Sequence, residues 1–351
     1  MTAPLFTICI VAHQTAPYLT RALDSVAGQS FTDYTALIVV EESTDDSLAI
    51  ARQYAQRDPR FLAVSLPCSG SASVSRNYAI DHATGRYIVF LDGDDWLYPE
   101  ALATAAGKLR QHPGLDILNF ACQELYAQPD GSFVTGEYYA NLPASSNGRI
   151  YTGCQYMSET ASSGVFRGYT FINICRTGFL RQQQLYQNPG LRMEDYEWAF
   201  RALTTAQSIL FLNAPLYAYR RHPGSVTTTA SARILFDLIA EFGLSGDFLR
   251  TRHLPPAVER SWANKWCAIF FQFFFHPGSR GRYRHDDLLK AQKLLFSPGN
   301  LPLLRRFAAI ATIPKRLGMQ CFFASRFLGL WLPQLYFTLG YYPLISLRKK
   351  N

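Results

Sequence analysis

Charged residues are scarce in this sequence and cysteine motifs are missing, and each shortage excludes a class of protein. Only 17% of the 351 residues are charged against 48% apolar, which excludes a disordered chain and predicts a substantial buried core. The seven cysteines form no C-x-x-C pair, so neither a zinc ribbon nor a disulfide framework is expected. Residues 1–5 lack a basic segment and a cleavage site, so we expect a cytoplasmic protein without a signal peptide.

The positive charge is concentrated in the last third of the chain. Residues 1–225 hold 16 Lys or Arg and 20 Asp or Glu, whereas residues 226–351 hold 18 and 6, and the whole chain carries a net charge of +8. A basic tail on a slightly acidic body is typical of contact with an anionic membrane or polymer, with plain solubility as the alternative.

Short apolar runs alternate with helical segments over residues 1–225. The predicted strands are Phe6–Ala12, Tyr34–Val40, Phe61–Leu66, Tyr87–Leu91 and Asp116–Tyr126. The predicted helices are Pro17–Ala27, Ser47–Gln56, Ser73–Ala83, Ala101–Arg110 and a segment that starts near Arg192. This alternation predicts an α/β fold in which a mostly parallel, Rossmann-like sheet carries helices on both faces. Residues 129–163, rich in Gly, Ser, Asn and Tyr, are expected to form a hairpin and loop over the site.

Several acids stand together where the fourth predicted strand ends. That strand runs directly into Asp92, Gly93, Asp94 and Asp95. Carboxylates this close repel one another unless a cation holds them, and Mn²⁺ or Mg²⁺ is the oxygen-seeking cation that fits. Such an ion keeps one or two protein carboxylates and gives its other positions to phosphate, so a nucleoside diphosphate is the expected ligand.

An ordered set of motifs accompanies these acids. It consists of Ile8–Ala12, Tyr18-Leu19, Leu23-Asp24-Ser25-Val26, Ser43-Thr44-Asp45, Ser75-Arg76-Asn77, Ala83-Thr84-Gly85, Phe90–Asp95 and Glu194-Asp195. In this order and spacing the set resembles a family 2 glycosyltransferase of the GT-A fold, the type that builds bacterial surface polysaccharides. The resemblance implies an inverting, metal-dependent enzyme that moves a sugar from a nucleoside diphosphate sugar to a hydroxyl of a lipid-linked or polymeric glycan.

The resemblance assigns the loop after the first strand, with Ala12 and His13, to the nucleotide. Where the family commonly has Asp-Asp-Gly-Ser-Thr-Asp after the second strand, this chain has Glu41-Glu42-Ser43-Thr44-Asp45. Glu42 can still accept a hydrogen bond from the imide N–H of uracil, which favours a UDP-sugar. A solvated acidic turn is the alternative for this segment.

Phosphate is the expected partner of Arg76 and Asn77. They stand at the start of a predicted helix, where an arginine and a helix N-terminus both attract phosphate, so the placement suits a diphosphate edge or the nucleotide base. Alternatively, Arg76 caps a neighbouring element.

The resemblance also divides the acids of the fourth strand among different roles. Asp92 and Gly93 are placed near the ribose or sugar hydroxyls, and Asp94 is placed on the metal. Asp95 keeps three open roles: it accepts a hydrogen bond behind the metal, orients the donor sugar, or caps the helix that begins near Pro99.

The catalytic base is expected on a separate element, because the acceptor must approach opposite the leaving group. By resemblance Asp195 is that base and Glu194 orients the acceptor or the base. The alternative is that both acids merely favour a helix N-terminus.

The segment Tyr217 to Val226 resembles the Tyr-Arg-x-His-x-x-Ser element that ends many catalytic domains of the family. It implies that His222 completes the metal shell and that Arg220 or Arg221 holds diphosphate oxygens. A lone histidine is otherwise usually structural.

Beyond Ser225 the alternation stops, so we place a boundary between a domain of residues 1–225 and a helical region of residues 226–351. In that region the aromatic residues from Trp262 to Phe275 are expected to pack in part on the first domain. A later stretch carries apolar residues at helical spacing beside arginines, a pattern typical of a helix that lies in a membrane interface. These residues are Leu303, Leu304, Phe307 and Ile310, with Arg305, Arg306, Lys315 and Arg316 nearby.

The uncharged segment Phe327 to Leu347 is long enough to cross a bilayer, but Pro333, Gly340 and Pro343 interrupt it. We therefore prefer peripheral attachment to the anionic inner leaflet over spanning or simple packing.

Three other classes of protein fit less well. A retired transferase that serves as a scaffold should have lost its base or its metal ligand, and both are kept. A sugar nucleotidylyltransferase needs a glycine-rich basic loop after the first strand, and the segment His13–Pro17 is not one. A nucleic-acid binder explains the charge but not the acids, so no nucleic-acid partner is expected.

Overall fold

The computed structural model describes residues 3–163, 166–222, 231–275 and 283–328. The chain divides into two compact units, Met1–Ser225 and Val226–Asn351.

A ten-stranded mixed sheet forms the centre of the first unit. Its strands are β1 Phe6–Ala12, β2 Tyr34–Glu41, β3 Phe61–Leu66, β4 Tyr87–Asp92, β5 Trp96–Leu97, β6 Ile117–Ala127, β7 Phe133–Tyr139, β8 Ile150–Tyr151, β9 Asn173–Arg176 and β10 Ile209–Arg221. Their order is β3-β2-β1-β4-β9-β6-β10-β5, with β7 beside β6 and β8 beside β10. Strands β1 to β4 are parallel to one another, as are β6 and β10, whereas β5, β7, β8 and β9 pair antiparallel with their neighbours.

Among the described residues of the first unit, seven α-helices accompany the sheet. They are α1 Ala16–Ala27, α2 Ser47–Arg57, α3 Ala72–His82, α4 Ala101–Gln111, α5 Gly153–Ser163, α6 Thr177–Gln182 and α7 Asp195–Thr205. Every residue of β1 is buried, as expected of a parallel strand covered on both faces. The apolar side of α1, with Leu19, Leu23 and Val26, is fully buried. The predicted α/β architecture is therefore confirmed, and the predicted elements up to residue 127 begin and end within one or two residues of the observed ones.

The prediction of hairpin and loop over residues 129–163 is wrong in its last third. The hairpin strand β7 is present, but residues 153–163 form α5 instead of a loop. Tyr156, Met157 and Thr160 are buried at helical spacing. Gly153 allows the helix to start against α7, because a Cβ there would lie 2.1 Å from the carbonyl oxygen of Leu203. The small polar residues of this segment hid the helical period from sequence analysis.

The second unit is helical. Its helices are α8 Ala232–Thr251, α9 Pro256–Phe275, α10 His285–Leu295, α11 Leu301–Ile310 and α12 Ile313–Leu328. Phe242 of α8 lies at the centre of an aromatic core, with ring centroids 5.4 Å from Trp266 and 5.1 Å from Phe270. Trp266 and Phe270 of α9 thus pack within their own unit.

The prediction of a membrane-facing side on α11 is wrong. Leu303, Leu304 and Phe307 are buried, and the Phe307 ring lies 5.5 Å from that of Phe242. These side chains fill the core of the second unit and do not face a bilayer. Among the described residues, no helix is both long and apolar enough to cross a membrane. The segment Phe327 to Leu347 lies outside the described residues except for its first two positions.

Candidate active site

Residues 92–95 lie beyond the carboxyl end of β4, beside the end of β1. The backbone N–H of Gly93 donates to the carbonyl oxygen of Val11 over 2.8 Å. A Cβ on Gly93 would lie 2.9 Å from that oxygen, so only glycine allows this approach without a shift. The contact places the acids beside Ala12 at the carboxyl ends of β1 and β4, where ligands bind in open α/β sheets.

Asp94 and His222 come together although 128 residues separate them. The Oδ2 atom of Asp94 lies 3.0 Å from Nε2 of His222, and the ring of Tyr18 packs 4.3 Å from the imidazole. Two ligands at right angles on an ion with bonds of about 2.1 Å are separated by roughly 3 Å. A carboxylate oxygen and an imidazole nitrogen at this spacing therefore fit neighbouring positions around Mn²⁺ or Mg²⁺.

Asp95 is buried, and its carboxylate accepts hydrogen bonds from strand β10. Its two oxygens accept hydrogen bonds from the Tyr217 hydroxyl over 2.7 Å and from the backbone N–H of Arg220 over 2.6 Å. Burial raises the pKa of Asp95 well above its ordinary value, and Asp94 and Asp92 raise it further. The helix-cap role left open by the sequence is excluded, because α4 begins at Ala101. Asp95 instead ties the acids to β10.

Arg76 joins the two groups of acids. Its Nη2 donates to Asp92 over 2.8 Å, and its Nη1 donates to Glu194 over 2.8 Å and to Asp195 over 2.9 Å. The residue is only 3% exposed, and neighbouring carboxylates raise its pKa although burial lowers it. The Arg76 guanidinium therefore bonds Asp92, Glu194 and Asp195, and its expected contact with a diphosphate stays a prediction. Asn77 likewise holds the backbone of Gln187, donating to its carbonyl and accepting from its N–H, each over 2.8 Å.

Glu194 and Asp195 stand at the N-terminus of α7 with different exposure. The Asp195 side chain is 24% exposed and that of Glu194 only 6%. Burial first and the neighbouring Asp195 second raise the pKa of Glu194 to about 8, although Arg76 opposes the rise. Near neutral pH Glu194 thus tends to hold a proton. Asp195 is the member of the pair that reaches solvent.

Glu42 and His13 are exposed on the loops that are expected to surround the nucleotide base. Glu41 is buried instead, and it accepts hydrogen bonds from the backbone and hydroxyl of Ser69 and from the hydroxyl of Ser75. The two adjacent glutamates thus differ: Glu41 holds the loop before α3, and Glu42 presents its carboxylate to solvent.

Arg220 and Arg221 point to opposite sides of β10. The Arg220 guanidinium lies against the rings of Tyr18 and Trp96, 4.8 and 5.1 Å from their centroids. The Arg221 guanidinium instead pairs with Glu124 over 3.0 Å. Of the two arginines, only Arg220 is on the side of Tyr18, the residue that also contacts His222.

Sequence analysis missed three residues of this arrangement: Tyr217, Thr170 and Gln187. Tyr217 bonds Asp95, and Thr170 donates to Asp195 over 2.5 Å. Gln187 donates to Thr170 over 2.7 Å. Tyr217 lies within the recognised motif, whereas Thr170 begins a three-residue 3-10 helix and Gln187 lies in an irregular segment. Neither segment is long enough for periodicity to mark a residue.

Residues 7–135 match the profile of Glycosyl transferase family 2. EpsH of Bacillus subtilis is 24% identical over 253 residues, which is 71% of this chain and 70% of EpsH. The glycosyltransferase GlyG of Streptococcus pneumoniae is 24% identical over 64% of this chain and 73% of its own.

This chain is a glycosyltransferase with a family 2 domain.

The solved structures agree with this assignment at the level of the fold. Residues 1–349 of Staphylococcus aureus TarS, solved with UDP, match with a TM-score of 0.69 and 19% identity over 96% of this chain and 92% of that one. The mannosyltransferase PcManGT of Pyrobaculum calidifontis, solved with GDP-Man and Mn²⁺, matches with a TM-score of 0.52 and 16% identity over 97% and 88%. The glycosyltransferase therefore has the GT-A fold. The matched family domain includes Arg76 and the acids of β4, whereas Asp195 lies beyond it.

Proposed function

We propose that this glycosyltransferase moves a sugar, with inversion at the anomeric carbon, from a nucleoside diphosphate sugar to a hydroxyl of a glycan. The observation that carries the proposal is the position of Arg76 between two groups of acids. Its guanidinium bonds Asp92, near the proposed metal ligand, and also Asp195, which lies on a separate element. An inverting displacement needs such a division, because nucleophile and leaving group occupy opposite faces of the carbon.

A UDP-sugar is the proposed donor. Glu42 is exposed next to the loop that carries His13, and a carboxylate there can accept the imide N–H of uracil. TarS of S. aureus has been solved with UDP-GlcNAc, which supports the same nucleotide here.

Asp94 and His222 are the proposed ligands of Mn²⁺ or Mg²⁺. Their separation of 3.0 Å fits two adjacent coordination positions. The bound ion supplies neutralisation of the negative charge that grows on the departing diphosphate. The Mn²⁺ in the structure of PcManGT supports this choice of cation.

Asp195 is the proposed base. It is the exposed carboxylate of its pair, and Arg76 and Thr170 hold one of its oxygens. Glu194, buried and with a raised pKa, keeps its proton and bonds the same guanidinium. Two adjacent acids in such different surroundings are suited to different tasks.

The proposed acceptor is a lipid-linked or polymeric glycan of a bacterial surface polysaccharide, reached by peripheral attachment to the inner face of the cell membrane. Ile313 and Leu317 of α12 are 71% and 52% exposed, and the exposed Arg316 lies between them. Exposed apolar side chains beside basic ones suit the surface of an anionic bilayer.

A donor panel tests the proposed function. The full chain is incubated with UDP-, GDP- and CDP-linked sugars in Mn²⁺ or in EDTA, and the released nucleoside diphosphate is measured by chromatography. We expect slow hydrolysis of one UDP-sugar that requires Mn²⁺ and accelerates with a glycan acceptor. Absence of both turnover and binding over the whole panel would favour a retired scaffold.

A further inference from the structure

A buried chain of hydrogen bonds ends on the candidate base. Gln187 Nε2 donates to Thr170 Oγ1 over 2.7 Å, and Thr170 Oγ1 donates to Asp195 Oδ1 over 2.5 Å. Thr170 is fully buried and Gln187 is 2% exposed. Buried polar groups in such a chain are costly to disturb, so their geometry is well defined.

The direction of each proton in this chain is fixed by its neighbours. Arg76 has no acceptor atom and its Nη1 lies 3.4 Å from Gln187 Oε1, so the amide oxygen faces Arg76 and the amide nitrogen faces Thr170. The Thr170 oxygen accepts that N–H and directs its own proton to Asp195. Asn77 completes the support, because its side chain holds both backbone groups of Gln187.

One oxygen of Asp195 is occupied and the other is available. Oδ1 accepts from both Thr170 and Arg76, whereas Oδ2 has no hydrogen bond to any described residue. The side chain is 24% exposed, so Oδ2 is the atom that an incoming hydroxyl can meet. A base held in this way presents one lone-pair direction instead of several.

We propose that Thr170 and Gln187 are positioning residues, which fix Asp195 so that Oδ2 takes the proton of the acceptor hydroxyl. This inference rests on the proposed function, in which Asp195 is the base. It also gives the Ser75-Arg76-Asn77 motif a different role from the phosphate contact expected from sequence. Arg76 bonds Asp195 directly, and Asn77 supports it through Gln187 and Thr170. Helix α3, which carries Arg76 and Asn77, thus aligns the base.

The test replaces Thr170 by valine, which keeps the shape and removes the hydroxyl, and by serine, which restores it. We expect Thr170→Val to lower kcat about tenfold to a hundredfold, since hydrogen bonds to charged groups are the stronger ones. The KM for the donor should stay within about twofold. The acid limb of the pH profile should move to higher pH, because the ionised carboxylate loses a donor. Thr170→Ser should recover most of kcat.

Thr204→Val is the matched control. Thr204 is buried on α7, the helix that carries Asp195, but its hydroxyl donates to helix carbonyls instead of to the base. Loss of kcat in this control equal to that in Thr170→Val would overturn the inference, as would an unchanged kcat and pH profile in a folded Thr170→Val. Asp195→Asn is measured in parallel. If that variant keeps full activity, the proposed base is wrong, whereas an inactive Asp195→Asn beside a normal Thr170→Val contradicts only the positioning role.

Discussion

Three aspartates of one turn have three different surroundings. Asp92 bonds Arg76, Asp94 lies beside His222, and Asp95 is buried against Tyr217 and the backbone of β10. Their neighbours in the sequence are almost the same, so their roles depend on partners far along the chain. Each carboxylate can take a different role because a different long-range contact fixes its position and its surroundings.

Glu194 should make the stability of the fold depend on pH. Its pKa rises from 4.5 in an unfolded chain to about 8 in the folded one. A raised carboxyl pKa gives stability that is complete below the unfolded value and is lost as pH rises through the folded value. We expect wild type to lose stability relative to Glu194→Gln between about pH 5 and pH 8. Urea midpoints of both proteins at several pH values check this, and a constant difference would contradict it.

His222 should contribute to metal affinity. Removing even an outer partner of a metal ligand typically weakens binding by 10- to 100-fold, so loss of a direct ligand should cost at least about tenfold. We expect His222→Gln to bind Mn²⁺ at least tenfold more weakly in the presence of UDP, as measured by calorimetry. The control is His82→Gln, an exposed histidine at the last position of α3. Equal affinity in wild type and His222→Gln would exclude His222 as a ligand.

Among the elements, strand β4 contacts β1 closely along its whole length, and these contacts position the acids at its end. The strand pairs with β1 in parallel from Phe6 to Val11, and Gly85, two residues before the strand, lies against the backbone of β1. The register that starts at Tyr87 beside Phe6 places Asp92 beside Val11. A disturbance at the start of β4 should therefore reach the site at its other end.

Gly85→Ala should destabilise the first unit. A Cβ there would lie 2.3 Å from backbone atoms of Phe6 and Thr7, which cannot give way as a side chain can. Overpacking of this kind costs about 1–3 kcal/mol. Gly107→Ala is the matched control, since nothing lies within 4 Å of that position in α4 and alanine favours a helix by about 0.5–1 kcal/mol. Denaturant unfolding measures both, and equal stability of the two variants would contradict the argument.

The elements themselves were largely predictable from sequence, because apolar periodicity and turn residues report local structure. Strands β1 and β3 have the predicted bounds, but α5 was missed because its buried face is made of Tyr156, Met157 and Thr160 and not of a clear apolar stripe. The acids of β4 were also predictable. The three contacts of Arg76 were not, because they join residues 16 to 119 positions apart.

In the whole molecule, the excess of positive charge and the exposed apolar residues Ile313 and Leu317 both lie in the second unit. Residues 226–351 carry 18 basic and 6 acidic residues. The apolar side chains that suggested a membrane face, such as Leu303 and Phe307, are buried in the core of that unit. The exposed apolar residues Ile313 and Leu317 therefore form the better candidate for bilayer contact.

We expect the protein to bind anionic vesicles at low salt and to be released at high salt, because each basic residue near such a surface contributes about 1 kcal/mol. The double variant Ile313→Asp, Leu317→Asp should lose most of this binding in a co-sedimentation assay. Leu294→Asp is the control, since Leu294 is a 43% exposed leucine of α10. Equal binding by all three proteins would move the contact elsewhere.

We propose that the acids after β4 hold the donor and its metal, and that a separate carboxylate, Asp195, activates the acceptor. Asp195→Asn tests it most directly, with donor affinity measured by calorimetry and turnover measured by diphosphate release on the same preparation. The variant should bind UDP-sugar and Mn²⁺ within about twofold of wild type and lose 10²–10⁴-fold in turnover. Turnover close to wild type would contradict the claim.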